Sequence, residues 1–149
     1  MIIKRVKEKK MADTCDILLE KLILDEKQYD CNLKDNIHIK NYFSKMITNE
    51  ANYLLAATID SQIVGYIFLK EIEDPIAIEK SYLVDGLYVE ENYRHQGIAS
   101  ALITKSIDII KEKNIKYVDI NTMYSNNVGM YLYKKYGFKE FRINLRKCL

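Results

Sequence analysis

The sequence predicts a mixed α/β domain whose first strands run antiparallel and whose later strands include one parallel pair. Three observations carry this reading. Two apolar stretches, Tyr53–Ile59 and Ile63–Lys70, flank the turn Asp60-Ser61-Gln62, which makes an antiparallel hairpin. The apolar stretch Ser81–Val89 and a later one around Val118 are separated by an amphipathic helix, and a strand–helix–strand crossover runs parallel. The chain has 149 residues, 48% of them apolar, which is enough for one core and fits a single domain over residues 1–149.

The elements come in this order. Met1 to Val6 is a short apolar start suited to a first strand. From about Glu8 to Glu26, Met11, Cys15, Leu18, Leu19, Leu22 and Ile23 recur at helical spacing. The polar stretch Asp25–Asn36 breaks that pattern. Ile37 to Thr48 reads as a second helix, with Ile39, Tyr42, Phe43, Met46 and Ile47 on one face. The hairpin comes next, then a loop marked by Asp74-Pro75, then the strand Ser81–Val89. From Gly97 to about Lys113, Ile98, Ala99, Leu102, Ile103, Ile107 and Ile110 form the clearest apolar stripe in the chain. Asn114 suits its end. Lys116–Asn121 is a short strand. Ser125-Asn126 offers a cap for a helix from about Asn127 to Tyr136, and Gly137 is placed to end it in the left-handed conformation. Phe138–Leu149 alternates and reads as a final long strand.

Charge narrows the partners. With 23 basic and 21 acidic residues, the net charge of +2 points to neither nucleic acid nor membrane. No apolar run approaches the ~20 residues of a membrane span, and Met1-Ile2-Ile3-Lys4 does not read as a signal peptide. Cys15, Cys31 and Cys148 are odd in number and widely spaced, so reduced thiols and a cytoplasmic location are expected. His38 and His95 are too few and too scattered to suggest a metal site.

Two constellations bear on chemistry. After Val89 a polar loop carries Arg94, and Gly97 opens a helix. The first amides of a helix have no intrahelical partner and the helix dipole adds positive potential, so an anion is favoured there. Gly97 allows close backbone approach, Arg94 adds a fixed charge, and Ala99 is small. The arrangement suits a pyrophosphate, although many glycines simply start helices. Neither G-x-G-x-x-G nor a P-loop is present. The second constellation is Asn126 and Tyr133, seven residues apart, which places a carboxamide and a phenol on one helix face. A capping Asn and a packing Tyr are the plain alternative.

Together the two resemble the GNAT superfamily of N-acetyltransferases. That family carries R/Q-x-x-G-x-G/A after its fourth strand, matched by Arg94-His95-Gln96-Gly97-Ile98-Ala99. It also carries an Asn, a Tyr seven residues on, and K-x-G-F, matched by Asn126, Tyr133, Lys135, Gly137 and Phe138. The resemblance spans essentially the whole chain. It implies a three-layer fold with a mostly antiparallel twisted sheet of six to seven strands, helices on both faces, and parallel fourth and fifth strands that splay apart. It implies acetyl-CoA as acyl donor and no metal. Backbone groups of Leu87, Tyr88 and Val89 would hold the pantetheine, with the Val89 N–H at the oxyanion. Arg94, His95, Gln96, Gly97, Ile98 and Ala99 would take the pyrophosphate. Asn121 and Asn126 would line the coenzyme arm, and Tyr133 would be the acid that protonates the leaving thiolate. Some relatives carry a Glu base on the fourth strand, where this chain offers only Asp85. Gly129 stands where an Ala is common, which should weaken its helix.

The implied activity is transfer of an acetyl group to a primary amine of a small molecule or peptide, by direct attack in a ternary complex. The alternative is an acetyl-CoA sensor without turnover. A homodimer is among the assemblies open to it. The acceptor pocket would be built by Asp25–Asn36, Tyr29, Tyr42 and Arg142–Leu149. Asp25, Glu26, Asp30 and Asp35 would favour a cationic amine, unless they are ordinary loop charge.

Overall fold

The computed structural model describes Met1–Leu149. Its elements are β1 (Ile2–Arg5), α1 (Lys9–Glu26), α2 (Tyr42–Met46), β2 (Tyr53–Ile59), β3 (Gln62–Ile72), β4 (Ser81–Val89), a 3-10 turn (Glu91–Tyr93), α3 (Ile98–Glu112), β5 (Tyr117–Ile120) and α4 (Asn127–Lys135). One sheet runs in the order β1-β2-β3-β4-β5. The first three pairings are antiparallel, and β4 with β5 is parallel, as the crossover requires.

The hairpin turn needs only Asp60 and Ser61, both at positive φ (47° and 65°), which matches the right-handed twist of the strands they join. Each face of the sheet carries its own core. One packs Leu55, Ile67, Leu69, Tyr82 and Val84 under Leu102, Ile103 and Ile110 of α3, with Leu132, Tyr133 and Tyr136 of α4 at its margin. The other packs Leu54, Tyr66, Phe68 and Tyr88 under Cys15 and Leu18 of α1 and Phe43 of α2.

Two expectations are corrected. Ile37–Thr48 is not one helix: Asn41 sits at φ 58°, and α2 occupies only Tyr42–Met46. The backbone before it is held by α1 side chains instead. Glu20 Oε1 accepts from Ile39 N at 2.6 Å. The buried Asp16 carboxylate accepts from Tyr42 N at 3.2 Å and Phe43 N at 2.9 Å, capping α2 across the interface. The sheet has five strands rather than six to seven, because Phe138–Leu149 forms none. Alternation supplies a strand's faces but not its neighbour, and no backbone N–H or C=O from Lys139 onward enters a backbone hydrogen bond.

Candidate active site

The site begins with an irregularity between β3 and β4. Leu69 pairs with Val84 and Ile67 pairs with Leu87, so Asp85 and Gly86 together oppose Phe68. This bulge bends β4 and re-aims its last residues, Leu87 to Val89. A Cβ on Gly86 would lie 3.0 Å from the Tyr66 hydroxyl, so glycine leaves room for that buried phenol, whose oxygen has no hydrogen-bond partner.

Beyond the bulge, β4 leaves β5. Their ladder covers only Ser81–Val84 against Tyr117–Ile120. Glu90 N donates to Val64 O at 2.9 Å, while Val89 opposes Gly65 and Leu87 opposes Ile67. Bonded and non-bonded pairs alternate in an antiparallel ladder. The N–H and C=O groups of Leu87 and Val89 therefore point away from β3, toward the gap where β5 has ended. The Val89 carbonyl is used: Arg94 Nε donates to it at 3.0 Å. The Val89 and Leu87 N–H groups have no strand partner.

The loop after β4 is the second part. His95 and Gly97 both take positive φ (61° and 80°), and the first α3 bond is Ala101 N to Gly97 O. Six consecutive amides, His95 to Ser100, donate to no backbone acceptor. Alternating backbone hands of this kind turn successive N–H groups into one concavity. A Cβ on Gly97 would meet nothing within 4 Å, so glycine is needed there for its φ, not for space. Ile98 is buried in the core and anchors the helix start. Gln96 Nε2 donates to Asn92 O at 3.3 Å, bracing the loop.

Arg94 does not stand free. Its Nη2 meets Asp25 Oδ2 at 2.6 Å and its guanidinium lies 5.3 Å from the Tyr88 ring centroid. It ties the end of α1 to the amide loop.

Asn126 caps α4. Its Oδ1 accepts from Gly129 N at 3.0 Å and lies 3.5 Å from the Tyr29 hydroxyl, and its Nδ2 donates to Thr122 Oγ1 at 3.3 Å. A Cβ on Gly129 would sit 2.7 Å from that Nδ2. Tyr133 packs edge-on against Phe138, with ring centroids 6.2 Å apart. Burial, and then the negative charge of Glu26, push its phenol up to about 12. Glu26 is itself raised, with burial as its only cause. Asp85 is exposed and accepts from the Tyr42 hydroxyl at 3.4 Å.

Leu87, Val89, Ile98, Ala99 and Tyr133 lie in or against one apolar cluster on the α3 face, and Asn126 caps the helix that carries Tyr133. Asn121 lies exposed just past β5. In the sequence Glu26 looks like loop charge. Its charge bears on Tyr133 only through the folded chain, 107 residues on in sequence, which local spacing does not reveal. Tyr66 gives no signal at all among 12 tyrosines.

No group of three or more His, Cys, Asp or Glu side chains is placed to hold a metal, and no helix is long and apolar enough to cross a membrane. The chain is 34% identical over 116 residues to an N-alpha-acetyltransferase of Sulfurisphaera tokodaii, covering 71% of this chain and 63% of that one. It therefore spans less than two thirds of that relative's length. A spermidine N(1)-acetyltransferase of Thermoplasma acidophilum is 25% identical over 120 residues, covering 78% of this chain and 71% of that one. In fold, the crystal structure of a predicted acetyltransferase with acetyl-CoA from Clostridium acetobutylicum superposes with a TM-score of 0.78 at 20% identity, covering 99% and 96% of the two chains. Residues 17–138 match the Acetyltransferase (GNAT) family, and with the divided sheet and the amide loop already in place, the chain belongs to that family.

Proposed function

We propose that this protein is an acetyl-CoA-dependent N-acetyltransferase acting on a primary amine of a small molecule or peptide, by direct attack in a ternary complex. The observation that carries this reading is the run of six unpaired amides from His95 to Ser100 beside the unpaired β4 edge. His95, Gln96 and Gly97 are exposed, while Ile98 is buried and Ala99 and Ser100 are partly buried, so the last three amides gain most from an acceptor, which a ligand rich in anionic oxygens supplies to the whole run. Those amides would hold the pyrophosphate, and the edge groups of Leu87 and Val89 the pantetheine amides. Tyr88 and Arg94 keep the loop in position from below. Asn126 holds the start of α4 at the far wall.

When bound, acetyl-CoA supplies an activated acetyl thioester. The Val89 N–H is a fixed donor, free to receive the negative charge that develops on an acyl oxygen. Tyr133 Oη retains its proton through neutral pH and is the group that hands one to a departing sulfur. An incoming ammonium must lose a proton. Of the two carboxylates, Asp85 is exposed and engaged with Tyr42, whereas burial raises the Glu26 carboxyl and makes it the stronger base, with its charge felt at Tyr133. We assign base function to Glu26, and to Asp85 the shaping of charge at the amine entrance. Asp25 and Asp30 are consumed by Arg94 and Arg146, so less acidic charge is left for a cationic acceptor than the loop composition suggests.

Calorimetric titration with acetyl-CoA, then thiol release with a panel of polyamines, amino acids and peptides, tests the reading. Binding plus amine-dependent thiol release is expected. Binding without release for any amine would make the protein a sensor, and absence of binding would sink the coenzyme assignment.

A further inference from the structure

The two exposed cysteines of the chain flank one ion pair. Cys31 follows Asp30, and Cys148 lies two residues past Arg146. Both thiols are exposed and free, whereas Cys15 is buried. Arg146 Nη1 donates to Asp30 Oδ1 at 2.7 Å, across 116 residues of sequence. No helix or turn interrupts the chain from Phe138 to Leu149. In an extended chain, side chains two residues apart share one side, so Cys148 follows Arg146 toward the loop after α1.

The Asp30 end of the pair is fixed. Asp30 is only 8% exposed, and its Oδ1 also accepts from Asn32 N at 2.9 Å, which pins the turn that carries Cys31. One residue earlier, the Tyr29 hydroxyl lies 3.5 Å from Asn126 Oδ1, so the same loop touches the cap of α4. The Arg146 end is looser, because the chain makes no backbone hydrogen bond from Lys139 onward. Arg146 is raised above its ordinary value by its hydrogen bond to Asp30, then by the Asp30 charge, and in smaller measure by Cys148 and Cys31. Both sulfurs therefore lie within charge reach of one guanidinium. A disulfide needs its two Cα atoms roughly 4–7 Å apart. An arm without backbone hydrogen bonds can make that adjustment while the ion pair keeps the thiols close.

We propose that Cys31 and Cys148 are a reversible dithiol–disulfide pair, oxidised by a low-molecular-weight disulfide such as glutathione disulfide to a bridge that straps the C-terminal arm to the loop after α1. One protein thiolate attacks glutathione disulfide, forming a mixed disulfide and releasing one glutathione thiolate. The second protein thiolate attacks the protein-side sulfur of that mixed disulfide. The Cys31–Cys148 bond forms and the second glutathione thiolate leaves. Two protein thiols are oxidised, one glutathione disulfide is reduced to two glutathiones, and the two thiol protons end on the glutathione sulfurs. Excess glutathione runs the exchange backwards, which is how a disulfide in a reducing compartment serves as a transient sensor. The bridge replaces a salt-sensitive tether with a covalent one. This inference is independent of the catalytic reading.

Equilibrating the full chain in glutathione redox buffers, quenching with iodoacetamide and mapping the peptides by mass reads the pair directly. A bridge within one chain between the Cys31 and Cys148 peptides is expected, with both thiols recovered on added glutathione. The buried Cys15 should alkylate only after denaturation. The bridged fraction across the buffers gives the effective concentration of one thiol at the other, expected at about 1 mM or more. Asp30→Asn should lower that value by about 2- to 5-fold, the usual worth of an exposed ion pair. Salt at ~1 M, where screening reaches within about 3 Å, should do the same without a substitution. Cys31→Ser should stop at a mixed disulfide on Cys148. Mixed disulfides on both cysteines with no bridge overturn the proposal, as do covalent dimers in its place. An effective concentration that neither Asp30→Asn nor salt lowers overturns it too, since the ion pair then does not bring the thiols together.

Discussion

Glu26 and Tyr133 each set the chemistry available to the other. The charge of Glu26 is, after burial, what holds the proton on the phenol. Replacing Glu26 with Gln removes that negative charge. The alkaline limb of the kcat profile, where a protonated acid is lost, should then move down from about 12 but stay above the ordinary tyrosine range, because burial, the larger cause, remains. The acid limb should disappear if Glu26 is the base, and kcat should fall by about 10²- to 10⁴-fold. Stability should move the other way. The folded-state pKa of Glu26 is raised, so the stabilising neutral form is complete below the unfolded value near ~4.3 and is lost as pH rises through the folded value. At neutral pH the wild type therefore carries a penalty that the Gln variant does not, and the variant should melt higher. A lower melting temperature, or a pH profile that does not move, would remove Glu26 from this role. Tyr133→Phe is the partner experiment: kcat should drop while calorimetric acetyl-CoA affinity stays near wild type, and an unchanged kcat would leave Tyr133 a packing residue.

Elements are legible in the sequence where the information they need is local, and illegible where it is not. The α3 stripe, the β2–β3 turn, the Asn126 cap and the Gly137 terminus all come from patterns within a few residues, and the structure has each of them. The α2 boundary does not, because its cap is Asp16, on another helix. The side chain is 2% exposed and accepts two backbone donors. Asp16→Ala should cost about 2–3 kcal/mol in urea unfolding, since hydrogen bonds to charged groups are worth about 1.5–3 kcal/mol and two amides lose their acceptor. A loss under about 0.5 kcal/mol would mean water replaces the carboxylate. Gly129 makes the opposite point. Propensity alone says that Gly129→Ala should stabilise α4 by about 0.5–1 kcal/mol. The structure puts the new Cβ 2.7 Å from Asn126 Nδ2, so the cap must shift or break. No gain, or a net loss, is expected in thermal unfolding, and a gain of the full propensity value would show that the cap moves freely.

Across the whole molecule, the sheet is two parts joined by a short ladder. β1 to β4 form a continuous antiparallel body, and β5 joins it through four residue pairs. No single stretch of sequence announces this gap. It arises because the bulge at Asp85 and Gly86 bends β4 away while the crossover through α3 sets where β5 begins. The motif Arg94–Ala99 is readable as an anion site, but only the gap beside it gives an elongated ligand somewhere to lie. A ligand lying there has a definite signature in amide exchange. Leu87 and Val89 N–H groups and the six amides from His95 to Ser100 have no partner in the free chain and should exchange fast for their depth. Saturating acetyl-CoA should slow these amides selectively. Global stability should rise as well, by about 2.7 kcal/mol at 100 times Kd. The N–H of Glu90, already bonded to Val64 O, should gain only through that global rise. Free CoA should reproduce the protection of His95–Ser100, since it carries the same pyrophosphate, and should protect Val89 less, since it lacks the acyl oxygen. Protection centred instead on the groove between α1 and the β2–β3 turn, lined by Met11, Thr14, Asp60 and Gln62, would put the coenzyme on the wrong side of the sheet and end this reading.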